Sequence, residues 1–177
     1  MADLGSMNGA AIELGVFGPK AQARHPDSDL TIGQLATLHE FGLGGQEPRP
    51  VISQWTDENE NDIVRQLFGA VRFSMATRAP LSLTLDALGK TWVAGVQSFI
   101  RAGRVRPLNT ASTVEWKGHD RPLDGRTGAL ADAVTYKVTL SGLAKARSAL
   151  AAAAASDLLD SAVGVGGPSK RIRGRKS

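Results

Sequence analysis

His39-Glu40 is the first place in this chain where metal chemistry has to be tested. In H-E-x-x-H on a helix, two imidazoles four residues apart share a face and grip zinc, while the glutamate acts as a base. Position 43 is leucine, so the second ligand is missing. The only other histidines are His25 and His119, and there is no cysteine. His39 therefore reads as a residue that packs or hydrogen-bonds at the end of a short helix, and no metal or cofactor is expected. Gly42-Leu43-Gly44-Gly45 lacks the third glycine of a dinucleotide fingerprint, follows a helical pattern rather than a strand, and has no P-loop lysine. No G-x-S-x-G elbow is present, and the Ser, His and Asp residues show no spacing that suggests nucleophilic catalysis. Asp57, Glu58, Glu60 and Asp62 could be imagined around a cation, but acid in a first helical turn is what the helix dipole favours. The chemistry excludes itself step by step, and the expectation is a protein that is not an enzyme and has no catalytic residues.

What remains chemically loud is charge. Of 177 residues, 21 are Lys or Arg and 17 are Asp or Glu, a net charge of +4. Lys170, Arg171, Arg173, Arg175 and Lys176 sit together in the last nine positions; without them 16 bases face 17 acids. The basicity thus belongs to a tail, whose expected partner is DNA phosphate or an acidic protein surface. The tail holds no aromatic residue, so base stacking is not on offer. The apolar share is 42%, but 25 of those residues are alanine, and a thin core suggests burial completed against partner subunits. The first residues lack a basic flank and apolar run, so no signal peptide is read. The longest apolar run, Ala149 to Ala155, is far below the roughly 20 residues of a membrane span.

The elements that must position these groups follow from periodicity. Ala10 to Phe17 alternates with Ile12, Leu14 and Val16 on one face and reads as a strand ending at Gly18-Pro19. Thr31 caps a short helix through Leu38 that stops at Gly42. Residues 42–50 form a connector, flexible at its glycines and stiff where Pro48 and Pro50 flank Arg49. A D-x-x-E capping box, Asp57 and Glu60, opens an amphipathic helix carrying Ile63, Val64, Leu67, Phe68, Val71 and Met75. Pro80 ends it. A second helix starts near Ser82 or Thr84 and runs to Gly103 with Leu85, Leu88, Trp92, Val96, Phe99 and Ile100 on one face. At about 1.5 Å per residue each is roughly 27 to 30 Å long, suited to an antiparallel hairpin. Residues 101–126 show no sustained periodicity; a short turn follows at 127–133, and Val134 to Leu140 alternates as the clearest strand. Leu143 to about Val163 is an alanine-rich helix that ends at Gly164 to Pro168 and hands over to the basic tail. The expected fold is α+β: a small, mostly antiparallel sheet packed by two amphipathic helices. A domain over residues 1–142 would carry a helical extension with the basic tail at 143–177.

Several short motifs, in order, carry a resemblance. They are Ala36-Thr37-Leu38-His39-Glu40-Phe41-Gly42, Pro48-Arg49-Pro50, Arg106-Pro107-Leu108, Thr113-Val114-Glu115-Trp116-Lys117-Gly118, Arg121-Pro122-Leu123, Thr127-Gly128-Ala129-Leu130 and Val134 to Val138. Across residues 12–140 this pattern resembles the tail-component family of tailed bacteriophages, which includes tail-completion (neck) proteins and Mu-like virion morphogenesis proteins. Gly125-Arg126 departs from the pattern as an insertion before Thr127-Gly128, and nothing beyond Leu140 belongs to it. The resemblance implies a structural subunit of the virion, assembled in the host cytoplasm. It would sit in a cyclic homo-oligomer, a hexamer among the candidate rings, at the head–tail junction. The partners implied are head connector, stopper or adaptor proteins on one side and the tail terminator or tail tube protein on the other, with packaged DNA in the lumen. A tail-terminator subunit capping the tube is the alternative within this class; a small DNA-binding accessory protein acting through its tail is the alternative outside it. Candidate subunit or ring contacts are Arg49, Arg104, Arg106, Trp116, Lys117, Arg121 and Arg126. Lys170, Arg171, Arg173, Arg175 and Lys176 are the candidates for DNA or an acidic partner.

Overall fold

A computed structural model describes residues 10–45, 47–125 and 127–140. Two strands, β1 (Ala10–Val16) and β2 (Val134–Leu140), pair antiparallel in a register running from Ala10 opposite Leu140 to Val16 opposite Val134. Both were legible as alternating runs. The alternation turns Ile12, Leu14 and Val16 onto the core, while Glu13 and Lys137 face each other across the strands at 3.8 Å.

Among the described residues between the strands lie six α-helices of very unequal weight: α1 (Gly18–Gln22), α2 (Ile32–Phe41), α3 (Val51–Thr77), α4 (Leu81–Arg101), α5 (Ala111–Lys117) and α6 (Ala129–Ala133). Helix α2 begins as its sequence dictates. Thr31 Oγ1 accepts the Gln34 backbone N–H and the Gln34 side chain accepts the Thr31 N–H, a reciprocal box. Gly42 ends it at φ 65°, a left-handed conformation that glycine enters without a side-chain clash.

Helix α4 is the centre of the molecule, with α3 antiparallel beside it and the sheet and α6 packed on it. Its buried face is Leu85, Gly89, Trp92, Val96, Phe99 and Ile100, the stripe expected from period 3.6. Gly89 allows the closest approach: a Cβ there would lie 2.1 Å from Tyr136 Cδ2, so the absent side chain is what lets β2 lie against the helix. Tyr136 then donates its hydroxyl proton to Asp86, whose carboxyl is held below its usual range by hydrogen bonds from Lys90 and Tyr136. The core gathers at one end of the hairpin, where Trp55, Phe99, Ile100, Val105, Leu123, Leu130 and Val134 pack together. The α+β class and the hairpin packed on an antiparallel sheet are as expected.

Three expectations change. Helix α3 starts at Val51, not Asp57, and so reaches about 40 Å; its first turn holds no acid, and Asp57 and Glu60 lie inside the helix rather than capping it. The reason is a cap supplied from elsewhere. Pro50 offers no side-chain hydrogen bond, but the Glu40 carboxylate accepts the N–H groups of Ile52 and Ser53, each at 3.4 Å, and the Ser53 hydroxyl at 3.0 Å. The polar stretch after Gly18 forms the short α1, and the aperiodic stretch contains α5, capped by Thr110. The expected alanine-rich helix at 143–163 lies outside the described residues.

Candidate functional site

Three of the quoted motifs, those at 36–42, 48–50 and 106–108, converge on one node around Arg49. Its backbone N–H donates to the His39 carbonyl at 2.6 Å, which ties the Pro-Arg-Pro turn to the end of α2. Its guanidinium donates to the carbonyls of Pro107 at 3.0 Å and Leu108 at 3.3 Å. Gln54, one turn into α3, closes a reciprocal pair with Arg106: its amide donates to the Arg106 carbonyl at 2.7 Å and accepts the Arg106 N–H at 2.8 Å. Residues 106–108 are therefore clamped from both sides. The planar fork of arginine suits this task, since its donors diverge in one plane toward two successive carbonyls.

His39 lies behind this clamp. Burial, then the charges of Arg49, Lys117 and His25, push its pKa down to about 4, so the imidazole is neutral near pH 7. Its Nδ1 is buried and has no hydrogen-bond partner. Lys117 arrives from the last turn of α5, and its pKa is lowered by burial and by Arg49 and raised by Asp124. Asp124, only 6% exposed, is the buried acid of the region and pairs with Arg121 at 3.1 Å. The node is thus a positively biased cluster with its hydrogen bonds spent on backbone carbonyls, an arrangement that fixes loops. The chain matches no protein-family model, no curated protein and no solved structure. Its own geometry carries the reading.

The expected contact residues fall into three groups. Arg49, Arg104, Arg106 and Arg121 make contacts within the chain: Arg104 pairs with Glu58 and lies 5.0 Å over the Phe99 ring, and Arg106 donates to the carbonyls of Gly103 at 3.0 Å and Val105 at 3.2 Å. Lys117 is half-buried, whereas Trp116 beside it is 60% exposed. Arg126, Lys170, Arg171, Arg173, Arg175 and Lys176 lie outside the described residues. Glu40, Gln54 and Asp124 carry the node and were not singled out as site residues from sequence. Glu40 had one signal, an acid just before a proline-flanked helix start that lacks a capping side chain of its own.

Among the described residues, large apolar side chains other than Phe17 remain open to solvent in two regions. Around the node these are Phe41, Leu43, Leu108 and Trp116; on the distal hairpin they are Val64, Phe68, Phe73, Met75 and Leu83. Among the described residues no helix is long and apolar enough to cross a membrane.

Proposed function

We propose that this chain is a structural subunit of a ring at the head–tail junction of a tailed bacteriophage, joining the head connector to the tail tube. The observation that carries the reading is the convergence on Arg49. The His-Glu-Phe-Gly, Pro-Arg-Pro and Arg-Pro-Leu motifs that carry the resemblance lie apart in the sequence, and the fold brings all three into hydrogen-bonded contact. Two further observations support it. Exposed large apolar residues border the node, as a subunit with a neighbour to meet would have. The α+β body is small, and a closed ring buries what such a body leaves exposed.

Imaging of purified virions by electron microscopy, with native mass spectrometry of the isolated protein, tests this. The expected result is density for a cyclic oligomer at the head–tail joint. A protein absent from purified virions overturns the reading.

A further inference from the structure

Helix α3 is polarised along its length. Its acids, Asp57, Glu58, Glu60 and Asp62, fall in the first half; its bases, Arg65 and Arg72, fall in the second, with Arg78 at its end. Glu58 pairs with Arg104 and Asp62 with Arg65. Among the described residues Asp57, Glu60, Arg72 and Arg78 have no ion-pair partner, and all four are exposed. Between these two ends runs an apolar side. Asp57, Val64, Phe68 and Met75, seven, four and seven residues apart, share one side of the helix. Val64 is 45% exposed, Phe68 63% and Met75 67%. Ile63 and Leu67 turn the other way, toward the core and the α4 that packs on α3. The described fold therefore leaves this side of α3 open.

We infer that this side is the contact for a second copy of the chain, whose α3 lies against it antiparallel about a two-fold axis. The face is complementary to itself. With residue 66 as midpoint, Val64 lies two positions before it and Phe68 two after, while Asp57 lies nine before and Met75 nine after. In an antiparallel pair Val64 of each copy faces Phe68 of the other. Asp57 of each comes opposite Met75 of the other, with Arg72 and Arg78 three positions to either side. Three positions are about 4.5 Å along the helix, a gap that a flexible arginine side chain spans. Glu60 falls along the same basic end. The unpartnered acids of each copy thus meet the unpartnered arginines of the other, whereas a parallel pair would set acid on acid and base on base. A second copy carries the matching polarity by symmetry, as an isologous contact requires. The inference stands apart from the ring reading, because it uses none of the node residues or motifs that carry that reading.

A contact of one helix face is small and in the size range of transient interfaces, so pairing of the full-length chain is measured by analytical ultracentrifugation up to concentrations on the order of 100 μM. Two charge-reversed chains separate this contact from any other. Asp57→Lys with Glu60→Lys makes both ends of the face basic, and Arg72→Glu with Arg78→Glu makes both ends acidic. Each variant alone should pair at least about tenfold more weakly than the wild type, and a one-to-one mixture should return to within about threefold of it. The mixture also controls for folding, since a misfolded chain would not regain a partner. Orientation is read by cross-linking, which the absence of cysteine leaves free of background. Chains carrying Asp57→Cys, mixed with chains carrying Met75→Cys and treated with a short bismaleimide, should give mixed products at least about fivefold over like-with-like products, because like positions lie about 27 Å apart in the antiparallel pair. A chain that stays monomeric, self-association unmoved by either reversal, a mixture that does not regain pairing, or an excess of like-with-like products each overturns the proposal.

Discussion

His39 makes the stability of this protein depend on pH in a window that begins above the range of ordinary carboxylates. The folded state holds the imidazole neutral down to about pH 4, whereas in the unfolded chain it takes up a proton near its ordinary value of 6.5. Between these values the unfolded state binds more protons, so stability is full above pH 6.5 and is lost as the pH falls toward 4. From pH 7.5 to pH 5.0 the linkage relation gives about 2 kcal/mol for this one group. The side chain keeps some solvent contact, which screens the neighbouring charges and brings the expected loss to about 1 kcal/mol. Urea unfolding of the wild type and of His39→Gln at both pH values measures it. The difference of differences isolates His39 from every carboxylate. The wild type should lose about 1 kcal/mol more than the variant, with unchanged denaturant slope. Equal losses, or a native-state imidazole that titrates near 6.5 by NMR, refute the argument that burial and the Arg49 and Lys117 charges hold it neutral.

The other changes test the packing that places the node. Glu40→Ala removes the carboxylate that receives the Ile52 and Ser53 N–H groups, and should cost about 1 kcal/mol in urea unfolding. An unchanged midpoint would mean that α3 starts well without this cap. Gly89→Ala puts a methyl where Tyr136 Cδ2 stands 2.1 Å away. The helix-propensity gain of about 1 kcal/mol is outweighed by an overpacking cost of about 2 to 3 kcal/mol, so the melting temperature should fall. A rise would show that β2 does not approach α4 at this residue.

What could be read from sequence depended on how far away the deciding atom lay. The α2 box joins Thr31 to Gln34, and the strands alternate residue by residue; such signals are local and were legible. The start of α3 was misread because Asp57 and Glu60 form a sound local capping signature, while the operative cap is Glu40, at the end of another helix. Helix α5 carries only Val114 and Trp116 as large apolar residues in seven positions, too few for a periodic signal, although Thr110 caps it. The arginines that are candidate subunit contacts also make bonds within the chain that no local pattern signals. Composition marks Arg49 and Arg106 as charged loop residues, but only the fold reveals that the carbonyls of Gly103, Val105, Pro107 and Leu108 take those guanidinium groups.

In the proposed ring, that internal use of charge would narrow where a neighbouring subunit binds. An arginine already bonded to two carbonyls costs its donors if a partner draws it away, so Arg49 serves an assembly by holding residues 106–108 in place rather than by reaching outward. The surface it shapes includes Leu108, and the adjoining segments present Phe41, Leu43 and Trp116. With Phe17, these four are the large apolar side chains left open to solvent outside the α3–α4 hairpin among the described residues. They also lie within or next to the motifs that carry the family resemblance, which gives those motifs a physical role: the polar members lock the loops, and the apolar members beside them are offered to the neighbour. A ring contact centred there would meet a backbone at 106–108 already held by Arg49 and Gln54, which lowers the ordering cost of that loop. If the chain assembles as proposed, the specificity of that assembly would reside in loop placement, which the Arg49 clamp sets.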